Sequence, residues 1–225
     1  MRFLCLHGNG TNSSVLNVQT AVLRHELEDE HTYEFVEATL EAPMSEGVET
    51  MTAPGHSFYG YYNPQDLSTL HGSLSQLDDY IATYGPFDVL MGFSAGAVLA
   101  AAYLLQRESR RQKLSETEES DVTAGVCLNP YAPIRCAVFL ASAESANELR
   151  YLGLDKQQAV IQLPTAHIYG TKDDIAPTGG KDLSHVCDAL VRTVVVHQGG
   201  HEIPRKEAVT EAVHAIRRTL LMAGG

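Results

Sequence analysis

Apolar positions along the chain fall into two patterns, short dense runs and longer stretches in which they recur every third or fourth residue. Dense runs occupy Arg2 to Leu6, Tyr33 to Thr39, Phe87 to Phe93, Ile134 to Ala141, Thr165 to Tyr169 and Thr193 to His197. Runs this short, bounded by glycine or polar residues, predict strands buried on both faces. Between them the spacing turns helical. Val15, Leu16, Val22, Leu23 and Leu27 follow the N-cap candidates Asn12, Ser13 and Ser14, predicting a helix to about Glu28. Leu70, Leu74, Leu77 and Ile81 mark a second helix from Ser68 or Thr69 to Tyr84, which Gly85-Pro86 ends. Small residues from Ala95 to Leu105 predict a third, Lys181 to Val191 a fourth, and Val209, Val213, Ile216 and Leu220 a last one over Lys206 to Met222. Strands alternating with helices imply an α/β fold: a mainly parallel, doubly wound sheet of about six strands with helices on both faces.

Two stretches break the alternation. From Leu40 to Leu67 there is no clean period, but Phe58, Tyr59, Tyr61, Tyr62, Met44 and Met51 are scattered among prolines and glycines. A loop of this length with so many large apolar side chains is expected to be ordered and functional. We expect it to cover the active site, with Phe58, Tyr59 and Tyr61 lining a substrate pocket. From Arg107 to Asp121 the chain is polar, with positive charges first and negative charges second, the pattern of a solvated helix end. A short apolar piece at Gly125 to Leu128 precedes the Ile134 strand, and Ser142 to Asp155 reads as a loop with a helical segment. No linker or repeat divides residues 1–225, so a single domain is expected.

Charge and cysteine content narrow the function classes. The net charge of −12 argues against nucleic-acid binding, which needs clustered Lys and Arg. The opening Met1 to Leu6 has too short an apolar run for a signal peptide, and no later run approaches a membrane span, so a soluble, cytoplasmic protein is expected. Cys5, Cys127, Cys136 and Cys187 lack metal or redox spacing, which points away from both a zinc site and a disulfide framework.

The chemistry gathers at the ends of the predicted strands. Gly92-Phe93-Ser94-Ala95-Gly96 joins a strand to a helix and has the form of a nucleophile elbow, in which glycines flank the serine because the turn is too tight for a Cβ. A serine nucleophile needs a base, and the base needs an acid to fix its tautomer. Asp173, with Asp174 as a competitor, and His201 follow Ser94 in that order, each in a turn after a strand. His201 stands out among ten histidines because Gly199 and Gly200 precede it. His7-Gly8-Asn9 ends the first strand, where it is either a plain tight turn or one side of an oxyanion hole; we favour the second, with the N–H groups of Asn9 and Ala95 as donors.

Together, Leu6-His7-Gly8, the Ser94 elbow, the segment His167 to Asp173 and the segment Gly199 to Pro204 resemble the fungal-type serine hydrolase family over nearly the whole chain. The resemblance implies a trimmed α/β-hydrolase fold, the triad Ser94, Asp173 and His201, and no metal or organic cofactor. That family includes general esterases and stand-alone thioesterases that release polyketides from an acyl carrier protein. The expected activity is therefore hydrolysis of an acyl ester or thioester through an acyl-enzyme on Ser94. A carrier-bound polyketide thioester leads, and a small free ester is the alternative. Because a carrier protein is itself usually acidic, docking one calls for a local basic patch, for which Arg107, Arg110, Arg111 and Lys113, or Arg205 and Lys206, are candidates. A fold retained as a non-catalytic binding module would have to explain why all three triad residue types persist.

Overall fold

Two apolar faces of one sheet organise the computed structural model. It describes every residue except 29, 53–54, 118–133, 156–159 and 225, and leaves aside the side chains of 112–117. The acidic end of the polar stretch and the piece Gly125 to Leu128 therefore lie outside the described residues. In chain order the elements are β1 (Arg2–Leu6), α1 (Ser13–Gln19), α2 (Ala21–Glu26), β2 (Thr32–Val36), β3 (Leu40–Glu41), a 3-10 turn (Glu49–Met51), β4 (Tyr59–Gly60) and α3 (Thr69–Tyr84). Then come β5 (Val89–Phe93), α4 (Ala95–Thr117), β6 (Cys136–Leu140), α5 (Ala146–Tyr151), β7 (Thr165–Gly170), α6 (Gly179–His185), β8 (Arg192–His197) and α7 (Glu207–Gly224).

Six strands form one sheet in the order β2-β1-β5-β6-β7-β8, and every pairing in it is parallel. Successive side chains of a strand point to opposite faces, and the sequence uses both. Phe3, Cys5, Val89, Met91, Cys136 and Val138 pack with Leu16, Leu23, Val213 and Ile216 on the face covered by α1, α2 and α7. Leu4, Leu6, Leu90, Ala137 and Phe139 pack on the other with Leu70, Leu74, Val98, Leu149 and Leu183 from α3, α4, α5 and α6. Continuous apolar strands rather than alternating ones are the result of covering both faces.

The helix predicted from Asn12 to Glu28 is two helices. Its start is as expected, since the Asn12 side chain accepts the N–H of Val15 at 2.9 Å. The break falls at Thr20, where the residue's own N–H and hydroxyl both bond the Leu16 carbonyl. The elbow helix runs beyond Leu105 to Thr117 because its charged residues are themselves good helix formers. Conversely, the helix expected from Lys181 to Val191 spans Gly179–His185. Residues after it are drawn into a bridge between Cys187 and Ile161, and the Asp188 side chain turns the chain by accepting the N–H of Leu190.

The order in which strands are added reverses at β1, which lies between β2 on one side and β5 on the other. In parallel sheets the crevice outside the carboxyl ends of strands at such a point gathers ligands. His7, Ser94, Asp173 and His201 all follow the carboxyl ends of their strands, which are β1, β5, β7 and β8.

Candidate active site

Ser94 sits between β5 and α4 at φ 54°, a left-handed conformation that a side chain rarely adopts. The elbow that holds it is fixed from three sides. A Cβ at Gly92 would lie 2.5 Å from the Gly96 carbonyl oxygen and 2.6 Å from the Ala97 backbone, and one at Gly96 would lie 2.4 Å from the carbonyl oxygen of Leu6. Strand, helix and the end of β1 thus touch backbone to backbone, which is the contact the two glycines permit. The Ser94 N–H donates to the Leu140 carbonyl at 3.0 Å, anchoring the turn to β6.

The turns after β7 and β8 are laced together. Thr171 N–H donates to the His197 carbonyl at 2.8 Å and Lys172 N–H to the Gly199 carbonyl at 2.9 Å, continuing the strand pairing past its end. Gly170 is so close to this second turn that a Cβ there would lie 2.2 Å from the Gly199 oxygen. Across this joint, His201 Nδ1 is 2.7 Å from Asp173 Oδ2 and His201 Nε2 is 2.8 Å from Ser94 Oγ. The other Asp173 oxygen, Oδ1, accepts the N–H groups of Ile175 and Ala176 at 3.1 and 2.8 Å, so the carboxyl group is held from both ends. Asp173 is buried, whereas its competitor Asp174 is exposed. With Asp173 accepting at Nδ1–H, the imidazole presents an acceptor nitrogen to the Ser94 hydroxyl.

The turn after β1 is braced by a histidine that is fully buried. His7 Nδ1 lies 2.7 Å from the Gly8 carbonyl and 3.1 Å from Thr11 Oγ1, and Nε2 accepts the Ala38 N–H at 3.1 Å. Glu37 Oε1 stands 3.0 Å from the same Nε2. Burial pushes the Glu37 carboxyl up, but the neighbouring His7 ring and hydrogen bonds from the Ser13 N–H and hydroxyl outweigh it and leave the group below its ordinary value. Asn9 and Ala95 both line the cavity above Ser94. Ala95 opens α4, in the turn whose N–H groups have no carbonyl four residues back to bond.

That cavity has a volume of about 570 Å³. Segment 45–51, with Tyr62 and Pro64, forms one wall, so the stretch from Leu40 to Leu67 does reach the site. Phe58, Tyr59 and Tyr61 are not among its lining residues. Tyr59 is held by main-chain bonds, its N–H donating to the Thr11 carbonyl and its carbonyl accepting the Gly10 N–H, and the Phe58 carbonyl accepts the Ala42 N–H. Tyr61 is buried beneath the site, where its hydroxyl donates to the Val36 carbonyl at 2.8 Å and accepts the His7 N–H at 3.1 Å. Burial is the main cause that pushes its phenol far above the ordinary value. Tyr61 thus belongs to the floor, and Phe58 and Tyr59 to the hairpin β3–β4 and its flank, rather than to the pocket lining. Sequence reasoning missed Tyr62, adjacent to the residue it chose, and Glu148 on α5, which lies on the wall at 8% exposure. Nothing in the apolar pattern signals Glu148, because α5 is only six residues long.

The thiols among the described residues are poorly suited to nucleophilic attack. Cys5, Cys136 and Cys187 are buried free thiols, and burial pushes all three pKa values up, those of Cys136 and Cys187 to about 12. Among the described residues no cluster of three His, Cys, Asp or Glu is arranged to hold a metal ion.

Residues 1–213 match the model of the family described as Serine hydrolase (FSH1). Esterase FPY3 of Fusarium mangiferae is 34% identical, over 99% of this chain and 98% of that protein. Esterase FUS5 of Gibberella fujikuroi is 27% identical, over 94% of this chain and 83% of its own. Among solved structures, that of esterase PE8 superposes with a TM-score of 0.61 at 18% identity, covering 97% of this chain and 92% of the other, a likeness of fold.

Proposed function

The chain belongs to the FSH1 serine hydrolase family, and from that premise we propose that Ser94, Asp173 and His201 are its nucleophile, acid and base. The observation that carries the reading is the pair of hydrogen bonds, 2.7 and 2.8 Å, that links the three beneath a cavity. His201 Nε2 takes the hydroxyl proton as Ser94 Oγ attacks the carbonyl carbon of an ester or thioester. The imidazolium is stabilised by Asp173, and the tetrahedral oxyanion by the N–H groups of Asn9 and Ala95. Collapse breaks the bond to the leaving alkoxide or thiolate, which receives the proton from His201 and departs, leaving the acyl group on Ser94. Water then repeats the sequence: His201 takes its proton, hydroxide adds to the acyl carbonyl, and Ser94 leaves with the proton returned to it. No cofactor enters either half.

Within that chemistry, the proposed substrate is an acyl chain, a polyketide or similar, held as a thioester on an acyl carrier protein in the cytoplasm. No helix among the described residues is long and apolar enough to cross a membrane. Of the two basic clusters, Arg205 and Lys206 suit docking. Both are exposed, Arg205 lies at the cavity wall, and Lys206 is next to it. Arg107 stands twelve residues along α4 from Ala95, about 18 Å at 1.5 Å per residue. There Arg107 and Arg110 line a separate groove with Asp78 and Asp79, and Arg111 is 3.5 Å from Glu108. The Lys113 side chain lies outside the described residues. A second reading, hydrolysis of a small free ester, is favoured by the acidic side chains of Glu46, Glu144 and Glu202 at the cavity, which oppose an acidic partner. One acyl group offered as a carrier-protein thioester and as a small-molecule thioester separates the two. A carrier preference of about 100-fold in kcat/KM, lost on Arg205→Glu with Lys206→Glu, is expected for the first, and equal values mean the second.

A further inference from the structure

We propose that Glu148 selects the substrate, by requiring a hydrogen-bond donor, a hydroxyl or a protonated amine, on the part of the ester that reaches across the cavity toward α5. This rests on ester hydrolysis at Ser94 as proposed above.

Glu148 occupies a buried position of α5 beside Leu149, where packing alone asks for an apolar side chain. Burying a carboxyl group is costly unless hydrogen bonds replace its water. Among the described residues its hydrogen bond is a long one, with the Tyr62 hydroxyl donating to Oε1 at 3.4 Å. A carboxylate offers about four lone-pair sites, so most of its acceptor capacity faces something other than Tyr62. The neighbouring acids are differently placed. Glu144 accepts the N–H and the hydroxyl of Thr178 at 3.0 Å each, at the start of α6, and Glu202 stands 3.8 Å from Arg205 near the solvent.

Position adds the second half of the argument. Glu148 lines the cavity above Ser94 and also an adjoining groove of about 620 Å³ bordered by Leu67, Asn147 and Tyr151. Pro64 and Glu144 share that double placement. A substrate longer than the cavity therefore passes Glu148 on its way into the groove. Val48, Met51, Phe93 and Ile175 give the wall an apolar stretch that accepts an alkyl chain, and its other acids, Glu46, Glu144 and Glu202, are less buried than Glu148. At Glu148 the same chain would strip water from a carboxyl group and give nothing back, whereas a donor at that depth completes its hydrogen bonds.

The test is a short- to medium-chain series of p-nitrophenyl esters whose acyl chains end in hydroxyl, ammonium or, as the isostere, methyl. A parallel series of acetate esters carries the same three groups on the alcohol. Each result is a ratio of kcat/KM values on one protein, so the fraction of active enzyme cancels. In the wild type, at least one chain length in one series is expected to favour the donor over methyl by about tenfold or more, the worth of a hydrogen bond to a charged group. Glu148→Gln, which keeps the shape and the Tyr62 bond, is expected to lose most of the ammonium preference. Glu148→Met is expected to favour methyl. Ratios near one throughout both wild-type series, or an ammonium ratio unchanged in Glu148→Gln, would overturn the role of Glu148 while leaving hydrolysis at Ser94 intact. Loss of turnover on every ester, with Ser94 unlabelled by a fluorophosphonate, would overturn both.

Discussion

Replacing Gly170 by alanine isolates how the histidine turn is positioned, because the nearest atoms the new Cβ meets are backbone atoms of that turn. The new Cβ would sit 2.2 Å from the Gly199 oxygen and 2.3 Å from that of Gly200. Both are backbone atoms in a turn already bonded to residues 171 and 172, and neither can rotate away. Restoring a contact of about 3 Å moves the turn by about 0.8 Å, and His201 follows one residue later. Its 2.8 Å contact to Ser94 Oγ would then stretch beyond hydrogen-bond reach. A misplacement near 1 Å costs about 100-fold in rate, and overpacking costs about 1–3 kcal/mol in stability. The assay pairs kcat on a p-nitrophenyl ester with thermal unfolding. Gly72→Ala serves as the control, since a Cβ there meets nothing within 4 Å on helix α3 and should raise stability by about 0.5–1 kcal/mol with kcat unchanged. If Gly170→Ala lowers stability but leaves kcat within about threefold of wild type, the joint between the two turns does not position His201 and the reasoning is refuted.

Asp173→Asn is expected to lower kcat by about 10⁴ because the amide cannot fix the same imidazole tautomer, while near-UV circular dichroism stays native. Ser94→Gly should abolish turnover, a loss of about 10⁶, yet raise stability by about 1 kcal/mol in denaturant titration, since glycine adopts φ 54° without strain. His167 tests the acid side of the stability curve. Burial, with a smaller contribution from Arg192, pushes its pKa down to about 3, against 6.5 in the unfolded chain. The unfolded state therefore takes up the proton first, and stability is full above pH 6.5 and falls as pH drops toward 3. The slope from this residue reaches about 1.4 kcal/mol per pH unit, and His167→Gln should flatten urea-derived stability over that window.

All six sheet strands are legible in the sequence as short apolar runs; the four inner strands are covered on both faces as expected, whereas the edge strands β2 and β8 are only partly buried, with Val194 and Val196 exposed. Of the residues singled out for chemistry, Ser94, His201, Asn9 and Ala95 line one cavity and Asp173 joins them through its contact with His201, since each follows a strand that its apolar run identifies. Element ends were less legible. Thr20 breaks a helix through its own hydroxyl, and Val186 leaves α6 to pair residues that are distant in sequence, neither of which a local period encodes. The pocket lining was hardest to read. Tyr61 and Tyr62 are chemically identical and adjacent, and only the tertiary contact of the Tyr61 hydroxyl with His7 and Val36 sends one to the floor and the other to the cavity. Glu148 carries no local signal, because its place depends on where a six-residue helix docks.

The most direct test of the central claim is to quench a p-nitrophenyl ester reaction in the pre-steady state and locate the acyl group by peptide mass spectrometry. The account predicts a single acyl increment on the peptide containing Ser94, formed in a burst matched by nitrophenolate release and absent from Ser94→Ala. An acyl group on another residue, or undiminished turnover in Ser94→Ala, would contradict it.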